Sequence, residues 1–319
     1  MNKNFKYVIN YIIKKYKISS ILIAISGGQD SIYLIKLIEI LKNFFSFNKI
    51  EYIYIDHQWK IDSLKQIEHI INYFKFFQEK LSIYQIQRIT LSENNSRIYR
   101  YHIILDHAIK NKYQAIITAH TQTDKFETFL LNLIRGTSLE GISSLTLHKK
   151  IHEQLHIIRP LIHENRNNIN WYCRQFCLPI WSDISNYNYK IKRNRIRFEL
   201  LPYLKKYFNL NIENNCNAFL TNCFYDNEYI KQNIIKIYNY ILHTKYIAIN
   251  ILYINKQHLS IQTRILQLFI YHNFYISINK NMLIKLIHIL NKKYSHEIIE
   301  WKYFEFKVKY IWLYIRLKI

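Results

Sequence analysis

Ile21-Leu22-Ile23-Ala24-Ile25-Ser26-Gly27-Gly28-Gln29-Asp30-Ser31-Ile32 is the stretch whose reading decides the fold. Its apolar run, Ile21 to Ile25, reads as a buried strand, and a helical pattern begins at Ile32. Between them stands a Ser-Gly-Gly-x-Asp-Ser turn in a chain with only four glycines, Gly27, Gly28, Gly136 and Gly141. Asn, Ile, Lys and Tyr are abundant while Gly and Pro are scarce, the bias of a genome rich in A and T. Each surviving glycine is therefore expected to mark a backbone contortion or a close approach that a Cβ would forbid. A glycine turn between strand and helix aims N–H groups at an anion, and the helix dipole adds about half a positive charge there, so phosphate is the natural guest. It is not the G-x-x-x-x-G-K-[ST] loop, because no lysine or second glycine group follows. The alternative is an ordinary Gly-Gly turn with an N-cap.

Outward from this turn, short apolar runs alternate with helical patterns as far as Gly136. Strands are predicted at 21–25, 50–55, 82–89 and 115–119, and helices at 31–41, 61–77, 96–110 and 123–134. That rhythm predicts an α/β fold with a doubly wound parallel sheet, whose ligands gather beyond the carboxyl ends of the strands. Three polar clusters fall there: Ser26 to Ser31, Asp56-His57, and His120 to Glu127. All three prolines, Pro160, Pro179 and Pro202, lie in a segment that reads as connections and short helices. Beyond Leu210 come long helical stretches, 211–243 and 261–274, and then alternating aromatics at 301–319 that read as strands. The resulting division is an N-terminal helix (1–20), a nucleotide domain (21–150), a linker with a basic segment (151–207) and a smaller, mainly helical C-terminal domain (208–319).

The 319 residues carry 45 Lys and Arg against 22 Asp and Glu, a net charge of +23. Part of this excess is codon drift toward Lys, but its scale is the footprint of a polyanion-binding protein. Lys190, Lys192, Arg193, Arg195 and Arg197 stand in a window, 186–198, that has no acid. Such a window suits a nucleic-acid backbone, with Trp181 and Tyr187 available for stacking, or else is a solvated basic loop. Cys173, Cys177, Cys216 and Cys223 form no C-x-x-C pair, and their spacing fits no zinc or iron–sulfur site. No apolar run approaches a membrane span, and residues 1–20 have helical period rather than a signal-peptide core, so no membrane partner is expected.

The turn Ser26 to Ser31 resembles the pyrophosphate loop of the N-type ATP pyrophosphatases, the PP-loop family with its adenine nucleotide alpha hydrolase-like fold. Further stretches resemble, in order and spacing, the tRNA(Ile)-lysidine synthetase family: Tyr54 to Trp59 with Asp62-Ser63, Arg97 to Tyr101, Ala119 to Thr128, Leu133 to Thr137, Arg159-Pro160-Leu161 with Arg166, Trp181-Ser182-Asp183 with Ser185-Asn186, and Arg193 to Arg197 closed by Leu201-Pro202. The resemblance is strong over 18–207 and loose beyond. It departs where Thr121 and Thr123 replace a histidine and an acid, and the final C-terminal domain of longer bacterial members is expected to be absent.

The resemblance implies a ligase that uses ATP to adenylate the wobble cytidine in the CAU anticodon of a minor tRNA(Ile). L-lysine then replaces AMP, and decoding changes from AUG to AUA. The alternatives are another PP-loop enzyme such as a tRNA thiolase, or a non-catalytic tRNA-binding descendant. Ser26, Gly27, Gly28, Gln29, Asp30 and Ser31 would hold ATP phosphates, with Asp56, His57 and His120 beside the nucleotide; His57 is otherwise a packed histidine. Asp124 and Glu127 are three apart and share a helix face. Two carboxylates facing a phosphate loop call for a cation between, so Asp124 with Asp30 predicts Mg²⁺ held through ATP; otherwise Asp124 caps its helix and Glu127 is a surface charge. Arg97, Arg100 or Arg135 could neutralise phosphate charge during the reaction, and Arg135 joins Asp30, Asp124 and Glu127 as a catalytic candidate. The basic window would contact tRNA. The A/T bias and absence of a transit peptide point to a plastid-encoded protein of the stroma, or alternatively to a bacterial cytoplasm. A homodimer is left open.

Overall fold

The computed structural model describes residues 3–45, 47–58, 62–86, 93–152, 154–181, 189, 191–291 and 298–318. Trp59, Tyr187, Lys190 and the 182–186 motif lie outside them. The chain divides into two compact units, Met1–Cys223 and Phe224–Ile319, with the division inside a long helix.

The first unit opens with α1 (Lys3–Tyr16), whose Phe5, Ile9, Ile12 and Ile13 are buried while Tyr7 and Tyr11 face solvent. There follow β1 (Ser20–Ile25), α2 (Gln29–Lys42), β2 (Lys49–Asp56), α3 (Ser63–Phe77), β3 (Leu81–Gln85), α4 (Glu93–Lys110), β4 (Ala115–Thr118) and α5 (Gln122–Arg135). Each strand and helix read from the rhythm of the sequence between 21 and 136 is present, with β3 ending at Gln85; residues 87–89 of the strand expected at 82–89 lie outside the described residues. The sheet order is β3-β2-β1-β4-β6-β5, and β1 pairs in parallel with both β2 and β4. Connections therefore leave β1 and β4 in opposite directions, which opens a crevice between their carboxyl ends.

Both sheet faces are covered. Ile21, Ile23 and Ile25 point into a core with α1 and α2, while Leu22 points into a second core with Ile104 and Ala108 of α4. This alternation explains the unbroken apolar run, since each of these buried side chains contributes about 1.5–3 kcal/mol wherever it points.

The unit continues with the short α6 (Leu139–Ile142), β5 (His148–Lys150), β6 (His156–Ile158), α7 (Arg166–Gln175), α8 (Lys192–Arg195), a π-helical turn (Ile196–Leu200), α9 (Leu201–Tyr207) and the start of α10 (Ile212–Ile241). Here the structure corrects the sequence reading of 155–205, which had only connections and short helices there and so missed β6. β6 extends the parallel sheet beside β4, and β5 pairs antiparallel at its edge. Strands of three residues are too short to show a period of two.

In the second unit, the rest of α10 is followed by β7 (Ala248–Asn250), α11 (Ile251–Asn255), α12 (Leu259–Phe274), α13 (Lys280–Asn291), β8 (Ile298–Trp301), β9 (Phe304–Lys309) and β10 (Trp312–Leu317). The strands form an antiparallel sheet in the order β7-β10-β9-β8. Phe306, Val308, Leu313 and Ile315 on its inner face pack with Leu266, Phe269 and Leu286 of the helices.

Candidate active site

The glycine turn adopts a conformation suited to an anion. Gly27 lies in the left-handed region with φ +73°, and a Cβ there would stand 3.0 Å from Gln66 Nε2 and 3.1 Å from Ile70 Cδ1. Gln66 reinforces the bend by donating to the Ser26 carbonyl at 2.8 Å. Gly28 is the N-cap of α2 with ordinary φ −78° and no side-chain cap. The nearest contact of a Cβ at Gly28 is Ser26 Oγ at 3.7 Å, so the fold itself does not demand this glycine. Gly28 thus answers neither to a left-handed φ nor to a crowding protein neighbour, which leaves the close approach of a bound group as the expectation for it. Ser31 Oγ donates to the Gly28 carbonyl at 2.8 Å and tightens the first turn.

A cavity of about 390 Å³ opens beyond β1 and β4. Its lining includes Ser26, Asp30 and Ser31 from the turn, His57 after β2, Arg97 and Arg100 on α4, His120 and Asp124 after β4, Arg166 on α7, and Arg193, Asn194 and Arg197 from the basic segment. This size falls within the range of small-molecule sites. Five guanidinium groups facing one cavity make it a receptor for several negative charges.

The carboxylates are embedded among those arginines. Arg166 donates to Asp30 Oδ2 at 2.6 Å, while Asp30 Oδ1 is buried without a hydrogen-bond partner. Burial pushes the Asp30 carboxyl up to about 6 against the pull of Arg166. Asp124 serves two ends: its Oδ2 accepts from the Thr121 N–H and hydroxyl in a capping box, and its Oδ1 accepts from Arg197 at 3.2 Å. Asp124 therefore caps α5 and also lines the cavity. Burial works against its charge, yet Arg166, Arg197 and the Thr121 N–H hold it below the ordinary range. Glu127 is fully buried and takes Arg197 Nε at 2.6 Å on Oε1, while Oε2 has no partner. It is not a surface charge: burial, then the charge of Asp124, pushes its carboxyl up to about 7. His120 accepts from or donates to Thr118 at 2.9 Å, and burial together with Arg159, Arg97 and Arg100 lowers it to about 3, so its imidazole is neutral.

Other expected residues lie elsewhere. Asp56 ends β2, but its carboxylate is buried and accepts from the Gln58 N–H at 2.9 Å. Gln29 turns back onto α7, donating to the Arg166 carbonyl at 3.4 Å. Arg135 is exposed at the far end of α5, outside the cavity, about 16 Å along the axis from Asp124 at 1.5 Å per residue. Of the described basic window, Lys192 and Arg195 face solvent, whereas Arg193 reaches Thr128 at 3.3 Å and Arg197 is committed to Asp124 and Glu127. Arg197 thus offers no free guanidinium to an RNA backbone. Arg166 and Asn194 stood inside quoted motifs but were given no role in the site. Their signal was motif membership, and only the fold brings Arg166 to Asp30 and Asn194 to the same cavity lining.

A parallel sheet with a glycine-built anion turn at its switch point, walled by arginines over buried carboxylates, defines an ATP-binding protein of the PP-loop class, and the PP-loop domain family matches residues 1–204. The chain is 50% identical over 311 residues to the chloroplastic tRNA(Ile)-lysidine synthase of Gracilaria tenuistipitata var. liui, covering 96% of each protein. Identity to the chloroplastic tRNA(Ile)-lysidine synthase of Pyropia yezoensis is 37%, over 88% of this chain and 85% of that one. The Nostoc tRNA(Ile)-lysidine synthase is 37% identical over 59% of this chain and 55% of its own length. The chain belongs to the tRNA(Ile)-lysidine synthase family. Among solved structures, the U34-tRNA thiolase NcsA of Methanococcus maripaludis, with its [4Fe-4S] cluster, matches with TM-score 0.51 at 14% identity, over 68% of this chain and 79% of that chain, a likeness of fold alone. The four cysteines here are free, and no group of three His, Cys, Asp or Glu side chains among the described residues is arranged to hold a metal.

Proposed function

We propose that the chain ligates L-lysine to C2 of the wobble cytidine in the CAU anticodon of a minor tRNA(Ile), consuming ATP and changing decoding from AUG to AUA. The observation that carries this reading is the arginine-walled cavity with Asp30 and Asp124 in its lining and Glu127 buried beneath Arg197, in a chain of this family. A ring carbonyl oxygen is a poor leaving group until it carries AMP. In the first step the cytidine C2 oxygen attacks the α-phosphorus and pyrophosphate departs. In the second, the lysine amine forms a bond to C2 and the C2–O bond to AMP breaks.

The chain's own groups divide this work. The N terminus of α2 and the Ser26–Ser31 turn bind phosphate oxygens, while Arg97, Arg100 and Arg193 offset the charge that grows on pyrophosphate and AMP. Neutral His120 lies beside the nucleotide without adding charge. Glu127 lies beneath Arg197 rather than in the cavity lining; its ionised carboxylate, with a carboxyl raised to about 7, holds the Arg197 guanidinium at the cavity wall, and the lysine amine sheds its proton to solvent as it attacks. Asp30, whose buried Oδ1 lacks a partner, and Asp124 would hold Mg²⁺ jointly with ATP phosphates; this small oxygen donor set suits a cation that keeps most of its ligands from phosphate and water. When bound, the ion withdraws charge from the phosphoryl oxygens.

We assign Lys192, Arg195 and the C-terminal part of the chain to tRNA docking. We place the protein in the plastid stroma, as the chloroplastic names of its relatives support. The test is incubation with ATP, labelled lysine and a tRNA(Ile) transcript bearing CAU. Label is expected in the RNA with one AMP and one pyrophosphate per lysine, and none with a wobble uridine. ATP cleavage without label in the CAU transcript would sink the ligase reading.

A further inference from the structure

The outer face of the C-terminal sheet carries a group of aromatic rings that the nucleotide site does not use. Along β10, Leu313 and Ile315 point into the core, so Trp312, Tyr314 and Arg316 point outward. Trp312 stands opposite Lys309 of β9, and Tyr314 opposite Lys307. The turn after α10 adds two more rings: His243 lies 4.7 Å from Trp312 and 6.4 Å from Tyr314, and Tyr246 lies 5.0 Å from His243 and 6.2 Å from Tyr314. His243 is pinned, because its Nδ1 accepts the N–H groups of Lys245 at 3.0 Å and Tyr246 at 3.2 Å. The four rings therefore form one pre-set surface.

Charge on this face is sorted. Its acids sit at the other end, where Glu300 pairs with Lys318 and Glu305 stands opposite Arg316. At the aromatic end, Lys307 and Lys309 make no ion pair among the described residues. The outer side of an antiparallel sheet is ordinarily polar, and aromatics there are used for contact with something flat. A partner that presents flat apolar rings and a negative charge at every step is a nucleic-acid strand, and its rings are exposed only where it is unpaired.

We propose that this face binds unpaired nucleotides of the RNA substrate, stacking bases on Trp312 and Tyr314 and holding phosphates against Lys307 and Lys309. The identity of the RNA as tRNA rests on the function proposed above; the stacking does not.

The test uses the full chain and two labelled probes, an unstructured RNA octamer of adenosine and cytidine and a blunt RNA duplex with the same number of phosphates. The octamer is expected to bind more tightly than the duplex. Trp312→Ala should weaken octamer binding about tenfold or more, from the value of one stacked base, and leave duplex binding unchanged. Trp312→Phe should stay within about threefold of the native chain, since it keeps a π face. Lys307→Ala with Lys309→Ala should flatten the log–log salt slope for the octamer by about 1.4, at about 0.7 per single-strand phosphate. Equal affinity for duplex and octamer, or native octamer affinity in a Trp312→Ala protein with native melting temperature, would overturn the proposal. Should Trp312→Ala fail to fold, Tyr314→Leu keeps the apolar bulk without the ring. Native octamer affinity in that folded variant overturns it equally. The labelled-lysine assay separates the two readings: incorporation without octamer preference removes the stacking face alone, and octamer preference without incorporation removes the ligase alone.

Discussion

The glycine turn after β1 and the basic segment at 191–200 both serve the same cavity, but they do so by different physics. The turn acts through its backbone: a left-handed Gly27, an uncapped helix start at Gly28, and N–H groups whose direction follows from the chain path. The basic segment acts through single side chains, and these part company within two residues. Arg197 is 17% exposed and bonds the half-buried Asp124 and the buried Glu127, whereas Arg195 is 64% exposed and, among the described residues, pairs with Glu199 on the surface. Arg193 and Arg197 are four apart and share the inward face, and the π-helical turn beginning at Ile196 carries Arg197. A run of like charges is therefore not one functional object.

The sharpest way to break this contrast is to truncate the two arginines separately. Arg197→Ala leaves the fully buried Glu127 without its ion-pair partner and strips one partner from Asp124, and removing one partner from a buried pair costs about 3 kcal/mol or more. A lowered melting temperature and loss of lysine transfer are expected. Arg195→Ala should alter stability by no more than about 0.5 kcal/mol. Equal melting temperatures for the two variants would show that Arg197 is as solvated as its neighbour.

The next effect concerns Glu127, and stability and activity should respond to pH in opposite senses. Its carboxyl is raised from 4.5 to about 7 in the folded chain, so the folded state favours the proton. That stabilisation is complete below about 4.5 and is lost as pH rises through about 7, a change on the order of 3 kcal/mol. Lysine transfer needs the ionised form and should rise over the upper part of the same window. Glu127→Gln is expected to remove the inflection near 7 from the single-turnover transfer rate and to flatten the stability profile. An inflection that survives in the variant would reassign it to another group.

Much of the fold was legible because the rhythm of short apolar runs and helical patterns is imposed by burial on both sheet faces. The turn was legible because its chemistry lies in the backbone and glycine is scarce in this chain. The three-residue β5 and β6 were hidden by their length. The address of Arg197 was hidden because it depends on packing between α5 and the π-helical turn, some 70 residues apart in sequence. Arg135 misled for the complementary reason: it follows Glu127 along one helix, but eight residues carry it two turns away, beyond reach of the cavity. Asp124 was read as either a cap or a site residue; one of its oxygens caps α5 and the other meets Arg197 at the cavity wall.

The smallest expected effect tests the outward half of the basic segment. Lys192 and Arg195 are exposed, so replacing both with alanine removes no buried contact and should leave the melting temperature and ATP affinity at native values. If each neutralises one tRNA phosphate, the slope of log affinity against log salt should flatten by about 1.4 to 1.8, because each released counterion contributes about 0.7 to 0.9. Affinity for tRNA should fall most at low salt and converge with the native value as salt rises, since screening weakens only the lost electrostatic part. An unchanged slope, with Arg193 and Arg197 intact, would mean that this segment turns its charge wholly toward the nucleotide. RNA docking would then belong to other surfaces, and the split between Arg195 and Arg197 would be one of burial without a division of labour.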